Sequence, residues 1–233
     1  MKVEFKSISY AITVCDEAEE LKSLLDFLLD NIRNKDEVVV QVDSSNTTEE
    51  VRKQILISSF NFNKDTYIEC PSFKTIDFQL NKDFAKFKNN LKSNCSKDYI
   101  FQIDADEIPS SLLIQNLPRI LQKYPEAGLI HVPRVNTVTG ITEDHIKKWG
   151  WTVNHNDFIN WPDWQPRIFK NNPNIYYSSP VHETILGYEG NPMFLPDLEG
   201  YALFHPKTIA RQEKQNNLYK NLLKRTEDEC TPT

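Results

Sequence analysis

The segment Tyr99-Ile100-Phe101-Gln102-Ile103 runs straight into Asp104-Ala105-Asp106-Glu107, with Ile108-Pro109 behind it. This abrupt change from apolar to acidic constrains the fold more than any other stretch. A short run rich in aromatic and β-branched residues reads as a buried strand. Open α/β sheets gather their ligands at the carboxyl ends of such strands, so Asp104 and Asp106, two residues apart, emerge together at a binding edge. Carboxylates that close repel one another unless a cation lies between them, and an all-oxygen set suits Mg²⁺ or Mn²⁺ bridging to a substrate phosphate. The competing reading is an acidic turn closed by Pro109, because short acidic motifs recur by chance.

A length of 233 residues fits one large domain over 1–225, followed by a polar tail at 226–233. Hydrophobic content of 39% and charged content of 26% are ordinary globular values and exclude wholesale disorder. The net charge of −6 argues against capture of DNA or RNA, whose affinity comes from Lys and Arg neutralising phosphates. A single nucleotide held through a metal needs no such basic patch. The N-terminal Met1-Lys2-Val3-Glu4-Phe5-Lys6 lacks the apolar core of a signal peptide and no later stretch reaches membrane-spanning length, so the expected location is cytoplasmic. Cys15, Cys70, Cys95 and Cys230 are widely spaced, which indicates neither a zinc site nor a disulfide framework.

The first half alternates strand and helix patterns, the signature of a sheet covered by crossover helices. Ser7 to Val14 reads as a strand, and Asp16 as the N-cap of a helix whose apolar positions Leu21, Leu24, Leu25, Leu28 and Ile32 recur every three or four residues. Glu37 to Val42 is a second strand ending at Asp43, and Thr47-Thr48-Glu49-Glu50 resembles a capping box opening a helix toward Ile57. Thr66 to Cys70 is a weaker third strand, and Phe84, Phe87 and Leu91 mark one face of a helix leading into the acidic strand. Beyond Glu107 the pattern predicts a helix over Ser110 to Lys123 interrupted by Pro118, then a strand over Gly128 to Val135. Short strand candidates follow at Pro166 to Lys170, Asn174 to Tyr177 and Val181 to Leu186, and a helix over Thr208 to Arg225 closes the chain.

In order along the chain stand Cys15-Asp16-Glu17, Asp43, Asp83-Phe84-Ala85-Lys86-Phe87-Lys88-Asn89, Asp104-Ala105-Asp106-Glu107, Gln165-Pro166-Arg167-Ile168-Phe169, Val181-His182-Glu183 and Phe204-His205-Pro206-Lys207. This series resembles the family 2 glycosyltransferases with the A-type nucleotide-sugar fold, especially the bacterial branch that decorates lipopolysaccharide cores and similar glycans. The match runs from about Ser7 to Tyr219. It implies an α/β fold, a single Rossmann-like mixed sheet flanked by helices, with a nucleotide-binding part at about 1–108 and an irregular acceptor-side second half at about 109–225. Three positions depart from the family pattern. Asp16 stands where an Asn is usual, Ser44-Ser45-Asn46-Thr47-Thr48 carries no second acid after Asp43, and Lys88-Asn89 replaces Arg-Asn. Those positions surround the nucleotide in the family, so they bear on the identity of the base.

The resemblance implies that Asp43 and Glu17 lie beside the nucleoside, with Lys88 also near the nucleotide; a carboxylate accepts hydrogen bonds from a base or from ribose hydroxyls. It makes Asp106 the preferred metal ligand, places Asp104 on ribose or on metal-bound water, and sets Glu107 nearby, either supporting the ligands from behind or contacting the acceptor. His205 completes the coordination or donates to the diphosphate, and Lys207 and Arg211 clamp the phosphates. The implied donor is a nucleoside diphosphate sugar, UDP-sugar favoured, with Mn²⁺ or Mg²⁺ as Lewis acid. The implied acceptor is a glycan, a lipid-linked glycan or a protein, and the implied stereochemistry is inverting. Glu183 is the candidate general base, oriented by His182, with Glu107 or Asp163 as competing assignments. The plain alternative is a cap or turn for Asp43, a surface carboxylate for Glu183, a buried satisfied histidine for His205 and solvated helical cations for Lys207 and Arg211.

All four tryptophans, Trp149, Trp151, Trp161 and Trp164, fall in one short segment beside Asn154, His155, Asn156 and Asp163. Aromatic faces stack on sugar rings while polar neighbours bond hydroxyls, which suggests an acceptor platform; the alternative is that they pack the irregular half onto the sheet. Two other functions compete. A nucleotidyltransferase would share fold and metal carboxylates but wants a Gly-rich basic loop after the first strand, where this chain has Cys15-Asp16-Glu17-Ala18. A catalytically silent glycan-binding module would use the tryptophans and ignore nucleotide and metal. Lys207, Arg211, Lys214, Lys220, Lys224 and Arg225 crowd the last helix, a pattern compatible with peripheral membrane contact or with a solvated face beside the apolar Ile209, Leu218, Leu222 and Leu223.

Overall fold

The computed structural model describes residues 5–62 and 71–217. Its centre is a seven-stranded mixed sheet flanked by helices, in the order β11-β6-β8-β4-β1-β2-β3. Strands β1 (Ile8–Val14), β2 (Glu37–Asp43), β3 (Ser72–Phe78) and β4 (Tyr99–Asp104) are mutually parallel, β2 lying between β1 and β3 and β4 on the other side of β1. Strands β1, β2 and β4 are buried over almost their whole length, as parallel strands covered on both faces must be, which explains their near-continuous apolar sequence. The chain steps outward from β1 to β3 and then returns to place β4 on the opposite flank of β1. The strand order therefore reverses between β1 and β4, and ligands of open α/β sheets bind at such a crevice.

Helices α1 (Ala18–Asn31), α2 (Glu49–Phe62) and α3 (Phe84–Ser93) cross between these strands. Helix α1 buries Leu21, Leu24, Leu25 and Leu28 as the spacing predicts, while Ile32 sits just past its end as the C-cap. Its N-cap is Glu17 rather than Asp16. The Asp16 carboxylate is drawn away to Lys214, 2.9 Å distant, and the Glu17 carboxylate accepts from the backbone N–H groups of Cys15 and Asp16. Helix α2 begins after Thr48, whose hydroxyl accepts from the Val51 N–H, and extends past Ile57 to Phe62. The strand expected over Thr66 to Cys70 lies outside the described residues. The edge strand β3 carries only Phe73, Ile76 and Phe78 as large apolar residues. Helix α3 is capped by Asp83, which accepts from the Lys86 N–H, and buries Ala85, Phe87, Lys88 and Leu91.

Strand β5 (Ile108–Pro109) leads into α4 (Ser111–Lys123), which is capped by Ser110 and runs unbroken through Pro118. An interior proline costs about 3 kcal/mol. The buried stripe Leu113, Ile114, Leu117 and Leu121 outweighs it, at about 1.5–3 kcal/mol for each fully buried side chain. The single strand expected over Gly128 to Val135 is divided at Pro133, which has no N–H for a central ladder. Strand β6 (Leu129–Val132) stays in the main sheet, and β7 (Arg134–Thr139) enters a second, three-stranded sheet ordered β5-β12-β7. A short helix, α5 (Glu143–Trp149), was not foreseen although Thr142 caps it and Gly150 ends it in the left-handed conformation.

Strand β8 (Gln165–Lys170) returns antiparallel between β4 and β6. Strands β9 (Tyr176–Ser178) and β10 (Thr184–Leu186) form a hairpin, shifted from and shorter than their expected spans, and β11 (Met193–Phe194) completes the main sheet. Strand β12 (Leu203–Thr208) occupies the start of the predicted last helix, which follows at 209–217. Leu218, Lys220, Leu222, Leu223, Lys224, Arg225 and the tail lie outside the described residues. No helix among the described residues is long and apolar enough to cross a membrane.

Candidate active site

The three acids after β4 occupy three different environments. Parallel pairing sets Thr13 of β1 opposite Asp104, and its hydroxyl donates to Asp104 Oδ1 at 2.9 Å. The Gln102 amide donates to the same oxygen at 2.8 Å, and Arg167 NH2 donates to Oδ2 at 2.7 Å. Burial pushes the Asp104 carboxyl up, but the Arg167 and Lys88 charges and these hydrogen bonds hold it well below the usual carboxylate range. Glu107 is fully buried. Its Oε1 accepts from Arg167 NH2 at 2.5 Å and Arg134 NH1 at 3.0 Å, and its Oε2 accepts from the Asp104 N–H. Placed this way, Glu107 fixes the turn rather than facing outward.

Asp106 is the acid turned toward the second sheet. His205 Nε2 is 3.3 Å from its Oδ2, with Arg211 NH2 at 3.6 Å and Lys207 Nζ at 3.7 Å. Burial raises its carboxyl, but the His205 hydrogen bond and the charges of His205 and Lys207 outweigh that and bring it to about 2. Lys207 is itself buried, which pushes its ammonium down, and its Nζ donates to Gln215 at 2.6 Å. Arg211 also contacts Glu17 at 3.1 Å and bonds Glu20. Burial raises the Glu17 carboxyl. The result is a mixed cluster of Glu17, Asp106, His205, Lys207 and Arg211 at the carboxyl edge of β1 and β4, chemically able to hold a diphosphate and a divalent cation together.

Asp43 is buried at the end of β2. Its Oδ1 accepts from the backbone N–H groups of Ser45 and Leu80, and its Oδ2 from the Asn46 amide at 2.7 Å. It therefore ties together the loops that follow β2 and β3. Lys88 and Glu183 form an ion pair on the α3 side of the sheet, with Lys88 Nζ 5.7 Å from the Tyr177 ring centroid. They line a cavity of about 80 Å³ with Gln102, Gln165, Arg167 and Tyr177. His182 is exposed and holds a left-handed backbone with φ of 56°.

The tryptophans separate into three groups. Trp149 packs between His145 and Trp151, Trp161 meets Phe158 edge-on, and Trp164 meets Phe194 edge-on while its indole donates to the Leu195 carbonyl. Trp161 lines an open cavity of about 310 Å³, shared with Asn154, His155, Asn156, Phe158, Asp197 and Glu199.

Two arginines were given no role by the sequence, Arg167 although it stands in the Gln165-Pro166-Arg167-Ile168-Phe169 motif. Arg167 is 5% exposed and joins Asp104 to Glu107, while Arg134 joins Glu107 to Asp163, donating to Asp163 Oδ2 from Nε at 2.9 Å and NH2 at 2.7 Å. Burial lowers both guanidiniums, but the facing carboxylates more than reverse this and leave them raised. The available signal was a lone arginine inside an otherwise apolar strand pattern, since a cation is buried only when paired. Asn136, whose Oδ1 is 2.7 Å from His205 Nδ1, gave no comparable signal.

A divalent cation fits this donor set in part. Asp104 and Glu107 are committed to arginine, whereas Asp106 Oδ2 and His205 Nε2 face each other; the carboxylate suits Mn²⁺ or Mg²⁺, and the imidazole is a ligand more typical of other first-row ions. Among the described residues no group of three or more His, Cys, Asp or Glu side chains gathers for a metal. Such an ion would take its remaining ligands from substrate phosphate and water.

The family model described as "Glycosyl transferase family 2" matches residues 9–181. No curated protein matches. Among solved structures, S. aureus TarS 1–349 superimposes with a TM-score of 0.57 at 12% identity, over 86% of this chain and 60% of that one. The same fragment in complex with UDP-GlcNAc gives 0.57 at 13% identity, over 87% and 58%. Against the longer TarS structure the TM-score is 0.55, and this chain spans 36% of its length. At these identities the likeness is one of fold, and it matches the mixed sheet flanked by helices.

Proposed function

The chain belongs to glycosyl transferase family 2, and from this premise we propose that it transfers a sugar from a nucleoside diphosphate sugar, UDP-sugar favoured, to a hydroxyl of a glycan, lipid-linked glycan or protein. The observation that carries the reading is the juxtaposition of Asp106 and His205, flanked by Lys207 and Arg211, at the crevice where the strand order reverses. The UDP and UDP-GlcNAc complexes of TarS lend support to the choice of donor.

In this proposal Glu17 and Asp43 hold the nucleoside and Asp104 faces the ribose. Lys207 and Arg211 bind the diphosphate oxygens, and Arg211 exchanges its contacts with Glu17 and Asp106 for phosphate. Asp106 and His205 would hold Mn²⁺ or Mg²⁺, which when bound neutralises charge on the leaving diphosphate. Glu183 takes the proton of the acceptor hydroxyl as the acceptor oxygen bonds to the anomeric carbon and the bond to the diphosphate breaks, inverting that carbon. The ion pair with Lys88 locates the Glu183 carboxylate before the acceptor arrives. The cavity of Trp161 and Phe158, about the size of one or two sugar rings and edged by Asn154, Asn156, Asp197 and Glu199, receives the acceptor.

The test is calorimetric titration of UDP, and in turn of GDP, CMP and dTDP, into the folded protein with Mn²⁺ and with excess EDTA, repeated on Asp106→Ala. Binding that needs both the ion and Asp106 supports the reading. A folded protein that binds none of UDP, GDP, CMP and dTDP under either condition overturns it and leaves a glycan-binding module.

A further inference from the structure

The His205 ring is held from its far side by a chain of groups that the proposed transfer reaction does not itself use. Strands β7 and β12 pair in parallel with His205 directly opposite Asn136, so the backbone fixes the two side chains as neighbours. Asn136 Oδ1 stands 2.7 Å from His205 Nδ1, and Asn136 Nδ2 donates to Asp163 Oδ2 at 2.7 Å. That same Oδ2 accepts from Arg134 Nε and NH2, while Asp163 Oδ1 accepts from the Gln165 amide.

We infer that Asp163 and Asn136 are positioning residues, Asp163 fixing the amide of Asn136 and Asn136 fixing the proton of His205 on Nδ1, so that Nε2 is the nitrogen presented to Asp106. The argument rests on donor and acceptor types. A carboxylate paired with a guanidinium only accepts, so the end of Asn136 that faces it must be the NH₂. The opposite end is then the carbonyl oxygen, which also only accepts, and its 2.7 Å contact favours hydrogen on Nδ1 over the pull of the Asp106 carboxylate, which faces Nε2 at the longer 3.3 Å. Flipping the amide would set oxygen against oxygen at 2.7 Å beside Asp163 and forfeit a charge-assisted hydrogen bond. The Ile159 carbonyl, 3.5 Å from Asn136 Nδ2, opposes the flip as well. Arg134 holds Asp163 in place and is itself held by Glu107 of the acidic turn, so the turn that carries Asp106 and the ring that faces it share one scaffold. A ligating histidine is oriented in this manner by what its other nitrogen touches. The metal part of the inference rests on the function proposed above, whereas the position of the proton does not.

The test uses the full chain, ¹⁵N-labelled, metal-free and at mildly alkaline pH. Long-range ¹H–¹⁵N correlation distinguishes protonated from unprotonated ring nitrogens, and His205→Gln identifies the resonances among the five histidines. Wild type is expected to show hydrogen on Nδ1 of His205. Asn136→Ala and Asp163→Asn are each expected to move the neutral ring toward the Nε2–H form and to raise the Mn²⁺ dissociation constant, read by the signal of free Mn²⁺, about 10–100-fold. Asn136→Ala leaves the Arg134–Asp163 pair intact, so it carries the test if Asp163→Asn does not fold. An unprotonated Nδ1 in wild type, or an unchanged proton position in both variants, overturns the inference. A wild-type ring with the expected proton that shifts in the variants, in a protein that binds no Mn²⁺, supports the positioning role and sinks the metal-dependent reading instead.

Discussion

Replacing Arg167 by leucine should be the most damaging single change in the site that leaves every proposed substrate contact in place. Arg167 is 5% exposed and donates to Asp104, Glu107 and Gln102. In Arg167→Leu, Glu107 keeps Arg134 at 3.0 Å, but Asp104 loses its direct ion-pair partner and retains only Thr13 and Gln102. Removing one partner of a buried ion pair costs about 3–5 kcal/mol. Asp104 keeps some contact with solvent, so the lower end applies, about 3 kcal/mol. For a chain of this size that is a fall of about 6–12 °C in the melting temperature. The loss should also depend on pH. The Asp104 carboxyl is depressed in the folded protein, so its stabilising contribution is present above the ordinary carboxylate range and is lost only as pH falls through the lowered value. The variant lacks that contribution at neutral pH, while protonation in acid removes the unpaired charge, so the gap between variant and wild type narrows as pH falls. Urea unfolding of both proteins at neutral and mildly acidic pH measures this. A loss under about 1 kcal/mol at neutral pH, or a gap that stays constant in acid, would refute the ion-pair argument.

Asp106→Asn should lower turnover by more than about a hundredfold, beyond the loss usual for a residue that only supports a metal ligand, and should also lower the melting temperature, because a carboxyl held at about 2 stabilises the fold while it is ionised. Because the Asp106 carboxyl lies at about 2, it stays ionised across the working pH range, and the acidic limb of a rate profile should survive unaltered in form when other carboxylates are retained. Glu183→Gln should cut kcat about 10²–10⁴-fold and leave UDP affinity unchanged in calorimetry; loss of nucleotide binding instead would place Glu183 on the donor side. Trp161→Ala should raise the acceptor KM with the donor KM unaffected, as steady-state kinetics would show. Gly187→Ala tests the fold alone: φ is +79° and a Cβ would lie 1.8 Å from the Asn174 carbonyl oxygen, so thermal unfolding should reveal at least the 1–3 kcal/mol or so of left-handed strain.

The strands β1, β2 and β4 were legible because residues covered on both faces must be apolar throughout, and the helices α1 and α3 because their buried faces repeat every three to four residues. The acidic edge was legible because a parallel strand that ends in carboxylates has few other uses. Less could be read where a choice depends on distant partners. Asp16 looked like a cap until Lys214 drew its carboxylate away, and Pro118 looked like a break until the packing of α4 outweighed it. The split at Pro133 was foreseeable as an interruption but not as a change of sheet, because only the pairing of β7 with β12 decides where the chain goes next. The tryptophan cluster showed the limit of spacing as a guide, since residues close in sequence pair with three different sets of aromatic partners.

The sequence by itself determined which segments must be buried and which strand would carry the acids, because burial and periodicity are local consequences of residue type. Tertiary structure alone decided what each acid does. Asp104, Asp106 and Glu107 are the same chemistry within four positions, yet one is held by Thr13 and Arg167, one faces His205, and one is sealed between two arginines. These partners come from strands β1, β7, β8 and β12, His205 standing 99 residues from Asp106 along the chain. A carboxylate's charge and availability are set by the groups that surround it in space.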